Sequence, residues 1–169
     1  MPILVESLDE LCPIAGVGSA VARLSAAGFI CPVVTVQSRI AKGIFSMQEF
    51  LSWFRMFSAE LHGYGGHVVG PYVCPHRFSE LCECKKPSTF LYEAAAREHG
   101  IDLQRSFVIG DSADDVGAAH RFDGRGCLVR TGWGSEEREQ VRAKQYKPFV
   151  ADSLADAVDW VLRQPERAG

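Results

Sequence analysis

Apolar positions recur with two different periods along this chain, and the period switches repeatedly from one to the other. Residues 17–29, VGSAVARLSAAGF, carry apolar side chains at helical spacing and stop at Gly28, which predicts a helix. PVVTV (32–36) is a short β-branched run, as expected of a buried strand. SMQEFLSWFRMFSAELHGYG (46–65) opens with Ser46 and Glu49 at the spacing of a capping box, then runs amphipathically to Gly63. HVVGPYV (67–73) reads as a strand, PSTFLYEAAAREHG (87–100) as a helix closed by Gly100, and SFVIGD (106–111) as a strand. SADDVGAAHRF (112–122) predicts a helix and GCLVR (126–130) a strand, with a last strand and helix over PFVAD and SLADAVDWVLRQ (148–164). The polar, glycine-bearing stretch 130–147 predicts a loop and a solvated charged segment.

Strands alternating with helices in this way imply an α/β fold, a parallel sheet with helices on both faces. Ligands in such folds sit at the carboxyl ends of the strands, which singles out Thr35, Cys74, Asp111 and Arg130. No repeat or linker interrupts the pattern, so residues 1–169 are expected to form one domain.

Charge narrows the functions available. A net charge of −3 gives no electrostatic case for a nucleic-acid partner. No apolar run approaches the roughly 20 residues of a membrane span, and no charged-then-apolar leader opens the chain. A cytoplasmic protein, monomeric or dimeric, is the expectation.

The six cysteines divide into two groups. Cys12, Cys31 and Cys127 are scattered and are expected to pack as small hydrophobes. Cys74, His76, Cys82 and Cys84 fall within eleven residues as C-x-H-x5-C-x-C. In a reducing compartment such clustering points to metal rather than disulfide. Two short hooks joined by a five-residue loop can wrap one tetrahedral zinc, and four protein ligands leave no open position, so the ion would be structural. The plainer alternative is an unliganded loop.

Three residues suit an anion and its counter-ion. Thr35 places a hydroxyl at the end of its strand, and Lys86, before Pro87, opens a helix whose N–H groups favour an anion. Asp111 ends the VIGD strand, a usual place for a Mg²⁺-binding carboxylate, although it could instead cap the helix that follows.

VVTVQSRIAKGIFS, CPH…CECKKP and IGDSADD, in that order, resemble the haloacid-dehalogenase phosphohydrolase superfamily. The likeness is to its branch of heptose-bisphosphate and histidinol-phosphate phosphatases, over about residues 5–135, and QSxIAxG favours the heptose side. The resemblance implies a Rossmann-like three-layer core without a large cap domain, a zinc-braced loop, and Mg²⁺-dependent hydrolysis of a small sugar phosphate. By position it implies that Thr35 hydrogen-bonds the phosphate and that Lys86 neutralises phosphate and nucleophile. Asp111 would bind Mg²⁺ with Asp115 in support, Gln37, Ser38 and Lys85 would meet the substrate, and Cys74, His76, Cys82 and Cys84 would hold zinc.

One motif of that superfamily does not occur in these 169 residues: the D-x-D-G-T of the central strand, whose first aspartate attacks phosphorus. PILVESLDELCPIAGV matches the segment that follows it, and neither Glu6 nor Asp9 has the required pattern. Either the chain lacks an upstream segment, or it is a short form unable to make the aspartyl-phosphate. In the latter case it would be an inactive zinc-bearing scaffold or a phospho-ligand binder. Val36 and Arg39 also depart from the T-N-Q-S-G stretch. The strands flanking the missing one, PVVTV and SFVIGD, are expected to face a gap that PILVE or a partner chain would fill.

Overall fold

The computed structural model describes residues 12–165. Helix α1 (Val17–Ala26) leads to strand β1 (Pro32–Val36), a single-turn helix α2 (Ser38–Ala41) and the long helix α3 (Met47–Gly63). Strand β2 (Val69–Cys74), helix α4 (Phe90–His99), strand β3 (Phe107–Gly110) and helix α5 (Ala113–Arg121) follow. Strand β4 (Arg125–Val129), helix α6 (Gly134–Ala143), strand β5 (Phe149–Ala151) and helix α7 (Leu154–Leu162) complete the order. Among the described residues no helix is long and apolar enough to cross a membrane.

Three helices begin the same way because their sequences share S-x-x-[DE]. The hydroxyls of Ser46, Ser112 and Ser153 accept the N–H of Glu49, Asp115 and Asp156, satisfying a donor that the helix itself leaves free. In α3 the Glu49 carboxylate also accepts the Ser46 N–H, and this bond holds the Glu49 carboxyl below its ordinary 4.5. That contribution is present above the ordinary value and fades as pH falls through the lowered one. Ser46→Ala should cost about 1 kcal/mol, read as a shift in the urea midpoint at neutral pH.

All strand pairs are parallel, and helices cover both faces. Alternation along β3 divides the layers. Phe107 and Ile109 pack with α1 and α7 around Ala20, Leu24, Val158 and Val161, while Val108 packs with Tyr92, Ala118 and Ala119 on the α4–α5 side.

The strands form two sheets, β1–β2 and β3–β4–β5. Among the described residues no strand joins them. In a parallel ladder the N–H and C=O of one residue point the same way and alternate along the strand. Gln37 N–H bonds Cys74 O and Cys31 O accepts Val69 N–H, so Pro32, Val34 and Val36 turn their backbone groups away from β2. Ser106 O accepts Arg125 N–H, so Phe107 and Ile109 turn theirs away from β4. Val34 nevertheless packs against the cluster that holds Val108, so the two sheets meet through side chains. Every residue of β1 is only half-buried, unlike a strand sealed inside a parallel sheet. The PILVE stretch lies outside the described residues.

Four expectations are corrected. The charged stretch 130–147 contains a helix, α6, whose one apolar anchor, Val141, is buried against Ala113, Val116 and Leu128. The helix expected to open at Pro87 starts at Phe90, so Lys86 stands in the turn before it rather than on its first turn. Ser112 caps α5, so Asp111 is not its cap. Cys12 is exposed, whereas Cys127 is fully buried and its thiol is pushed up to about 12 by that burial. Cys31 is half-buried against the α1–α7 cluster.

Candidate active site and metal cluster

Several of the residues singled out in the sequence meet at the carboxyl edge of β1 and β3. The Lys86 ammonium donates to Asp115 Oδ1 at 2.6 Å and to Val34 O at 3.3 Å. Both side chains of this ion pair are largely buried, at 14% and 8% exposure, so it is not a screened surface contact. Asp115 Oδ2 accepts the Ser112 hydroxyl at 2.8 Å, which leaves neither oxygen of that carboxylate idle. At the end of β1, Gln37 Nε2 donates to Thr35 Oγ1 at 3.0 Å, and Ser38 is buried at the start of α2.

Asp111 follows β3 directly. Its Oδ2 accepts the Trp133 N–H at 3.1 Å, and its other oxygen has no partner among the described residues. Two glycines make the crowding here possible. A side chain at Gly132, whose φ is +62°, would overlap the Asp111 carboxylate, and one at Gly110 would overlap Asp115. Gly110→Ala should therefore displace Asp115 and split its pair with Lys86. The expected cost is about 3 kcal/mol in urea denaturation, as for other broken buried pairs. Gly63→Ala, which opens into empty space on α3, should leave stability unchanged or slightly raised.

Some neighbours gave no sequence signal. The Tyr92 hydroxyl is buried, and burial, followed by the charge of Asp115, pushes it well above its ordinary 10.0. Only the fold brings it there: in the sequence it is one apolar position of α4. Glu137, on the unforeseen α6, accepts the Ala113 N–H at 3.0 Å and so supports the start of α5.

The second constellation lies at the end of β2. Cys74, His76, Cys82 and Cys84 bring one ligand atom each to within 4.8 Å of one another. Cys74 and Cys82 Sγ are 3.8 Å apart, and His76 Nδ1 is 3.7 Å from Cys74 Sγ and 3.3 Å from Cys84 Sγ. Sulfurs bound to tetrahedral zinc at about 2.3 Å stand about 3.8 Å from each other, so the donor set fits that ion. Burial, followed by Cys74 and Cys82, pushes the Cys84 thiol up to about 12. Burial also acts to raise Cys82, but bonds from Lys85 N–H, Cys74 and Cys84 outweigh it and hold that thiol below its ordinary 9.0. Three thiols this close cannot all ionise without a cation among them.

Lys85 and Arg77 close the loop around the cluster. The Lys85 ammonium donates to the carbonyls of Arg77, Phe78 and Glu80 at 2.6, 3.0 and 2.7 Å, which uses all three of its protons. The Arg77 guanidinium reaches across to Ala41 O at 3.1–3.2 Å and so ties the loop to the end of α2.

A family profile described as HAD-hydrolase-like matches residues 83–157. A D-glycero-beta-D-manno-heptose-1,7-bisphosphate 7-phosphatase of Yersinia pestis is 36% identical over 166 residues, covering 94% of this chain and 80% of that one. A protein of the same name from Pseudomonas putida is 35% identical, with 89% and 85% covered. Among solved structures, the D,D-heptose 1,7-bisphosphate phosphatase of B. bronchiseptica, complexed with magnesium and phosphate, superposes with a TM-score of 0.86. It is 30% identical, over 96% of this chain and 90% of that one. Relatives this similar over nearly the whole chain settle the kinship that the zinc-type loop and the IGDSADD strand end already suggested: the chain belongs to the heptose-bisphosphate phosphatase family of HAD-like hydrolases.

Proposed function

We propose that the carboxyl-edge site binds, together with Mg²⁺, the phosphate group of a small sugar phosphate of the D-glycero-D-manno-heptose bisphosphate kind, as the phosphate-holding half of a monoesterase whose nucleophile the described residues do not supply. The observation that carries this reading is the buried Lys86 ammonium between Val34 O and Asp115, at the end of the strand that also carries Thr35, bonded to Gln37. A lysine held at 14% exposure meets a bound anion with little competition from water. Thr35 donates its hydroxyl to a phosphoryl oxygen, Ser38 adds a second hydroxyl, and Gln37 holds Thr35 in place. Asp111, with an oxygen unpartnered among the described residues, is the carboxylate that holds Mg²⁺, and Asp115 orients Lys86 rather than ligating the ion. Magnesium, when bound, supplies charge neutralisation at the phosphoryl oxygens. The zinc of the Cys74–His76–Cys82–Cys84 cluster is structural. Lys85, whose protons all bond the loop, shapes the substrate mouth through the backbone rather than by direct contact.

A second reading, a phospho-ligand binder without turnover, rests on one specific fact: no D-x-D-G-T occurs in the 169 residues. Calorimetric titration with a sugar bisphosphate, with and without Mg²⁺, tests the site common to both readings. Binding should strengthen with Mg²⁺ and fall at least about tenfold in Lys86→Met, as expected for a lost charge-assisted hydrogen bond of about 1.4 kcal/mol or more. Equal binding by Lys86→Met would exclude a phosphate role for that lysine.

A further inference from the structure

The sequence HGYGGH (62–67) closes α3 and leads towards β2, far from the phosphate site. His62 Nδ1 and His67 Nδ1 stand 3.2 Å apart, with the ring centroids at 4.7 Å and the planes at 70°. Both residues are exposed, and neither imidazole nitrogen pair is bonded elsewhere among the described residues. Two nitrogens bound to one metal at about 2.0–2.1 Å stand roughly 2.9 Å apart in a square or octahedral arrangement and 3.4 Å in a tetrahedral one. The observed separation lies between these values.

The turn that sets this distance is fixed. Tyr64 and Gly66 N–H both bond Leu61 O, and Gly65 N–H bonds His62 O. Gly65 has φ +83°, in the left-handed region that glycine adopts without cost. A side chain on Gly66 would crowd Val21 and the Ala22 nitrogen of α1 at 3.1–3.2 Å, so a glycine lets this turn seat closely on that helix. The His67 backbone is held in addition by its N–H bond to Ser25 Oγ at 2.9 Å. The two rings are therefore carried on a preorganised backbone, which removes much of the ordering cost of chelation.

We propose that His62 and His67 form a bidentate site for a divalent, imidazole-preferring transition-metal ion, separate from the Cys74–Cys84 cluster. The length of β2, roughly 20 Å, lies between the two. Both Nδ1 lone pairs ligate, water completes the coordination, and each neutral ring keeps its proton on Nε2. The ion pins the last turn of α3 to the segment entering β2, at the amino edge of the sheet.

Ni²⁺, which favours nitrogen ligands, is the probe. Titrated into the zinc-loaded 169-residue chain, it should bind once per chain outside the cysteine cluster. Its paramagnetism should broaden the imidazole proton signals of His62 and His67 while leaving His99 and His120 sharp. His62→Gln and His67→Gln should each weaken this binding by at least about tenfold, the lower end of what even an outer-shell partner costs a metal site. Both rings are exposed, so unchanged thermal unfolding of the zinc-loaded, nickel-free variants serves as the folding control. Ni²⁺ affinity equal in wild type and either variant, or broadening confined to His76, would overturn the proposal.

Discussion

Assayed for phosphate release from a panel of sugar bisphosphates at saturating Mg²⁺, the 169-residue chain is expected to turn over near background. The reason lies in what each side chain at the carboxyl edge already does. Asp115 has both oxygens engaged, by Lys86 and by Ser112. Asp111 accepts the Trp133 N–H and is the carboxylate assigned to Mg²⁺. The Thr35 hydroxyl is bonded to Gln37, with no base beside it to take its proton. Lys86 is cationic and paired. A site so furnished can bind and neutralise phosphate, but among the described residues it offers no free nucleophile. Fusing a strand that carries D-x-D-G-T upstream, to lie between the facing edges of β1 and β3, should raise turnover by several orders of magnitude. Enzymatic accelerations of about 10⁶-fold or more set the scale. Strong Mg²⁺-dependent hydrolysis by the unmodified chain, lost in Asp111→Ala, would contradict this and direct attention to Glu6 or Asp9, which lie outside the described residues.

The second large effect concerns zinc. Elemental analysis of chain purified without chelators should find about one zinc per molecule, and Cys82→Ser should lower that content sharply. Stability should fall with it, by about 3 kcal/mol, because binding free energy at a structural site is folding free energy. For a chain of this size the loss corresponds to roughly 6–12 °C in Tm. It is smaller than the about 10–16 kcal/mol of zinc-dependent folding modules because Lys85 and Arg77 brace the same loop without metal. Zinc uptake by the apo chain should also release protons, since the Cys84 thiol stands near 12 before the ion arrives. A zinc-free chain with an unchanged melting curve in Cys82→Ser would end the structural-zinc reading.

Much of this organisation is legible in the residues themselves. β-branched PVVTV and the S-x-x-[DE] starts of α3, α5 and α7 declare their elements locally, and the C-x-H-x5-C-x-C spacing brings its four ligands together. What escaped reading depends on partners distant in sequence. Helix α6 is polar almost throughout and owes its place to Val141 and to Glu137 on the start of α5. Lys85 and Lys86 are neighbours of the same type, yet one turns to loop carbonyls and the other to Asp115, a difference no local pattern encodes. The buried Tyr92 hydroxyl looks in sequence like any half-apolar helix position. Local spacing records periodicity and capping, whereas the orientation of a long charged side chain is decided by the groups the fold brings to it.

The Lys86 ammonium touches a carbonyl of one sheet and a carboxylate packed on the other, 3.3 Å and 2.6 Å away. It is therefore a clamp between two bodies that the described residues leave without a shared backbone ladder. An anion that takes the third proton of Lys86 competes with Asp115 for its charge, and a strand inserted beside Val34 must share the same carbonyl oxygen. Occupancy of the phosphate site and the seating of the two sheets are then thermodynamically linked, and linkage of this kind is reciprocal. Whatever closes the sheets on each other changes the affinity for phosphate by the factor by which phosphate changes their closure.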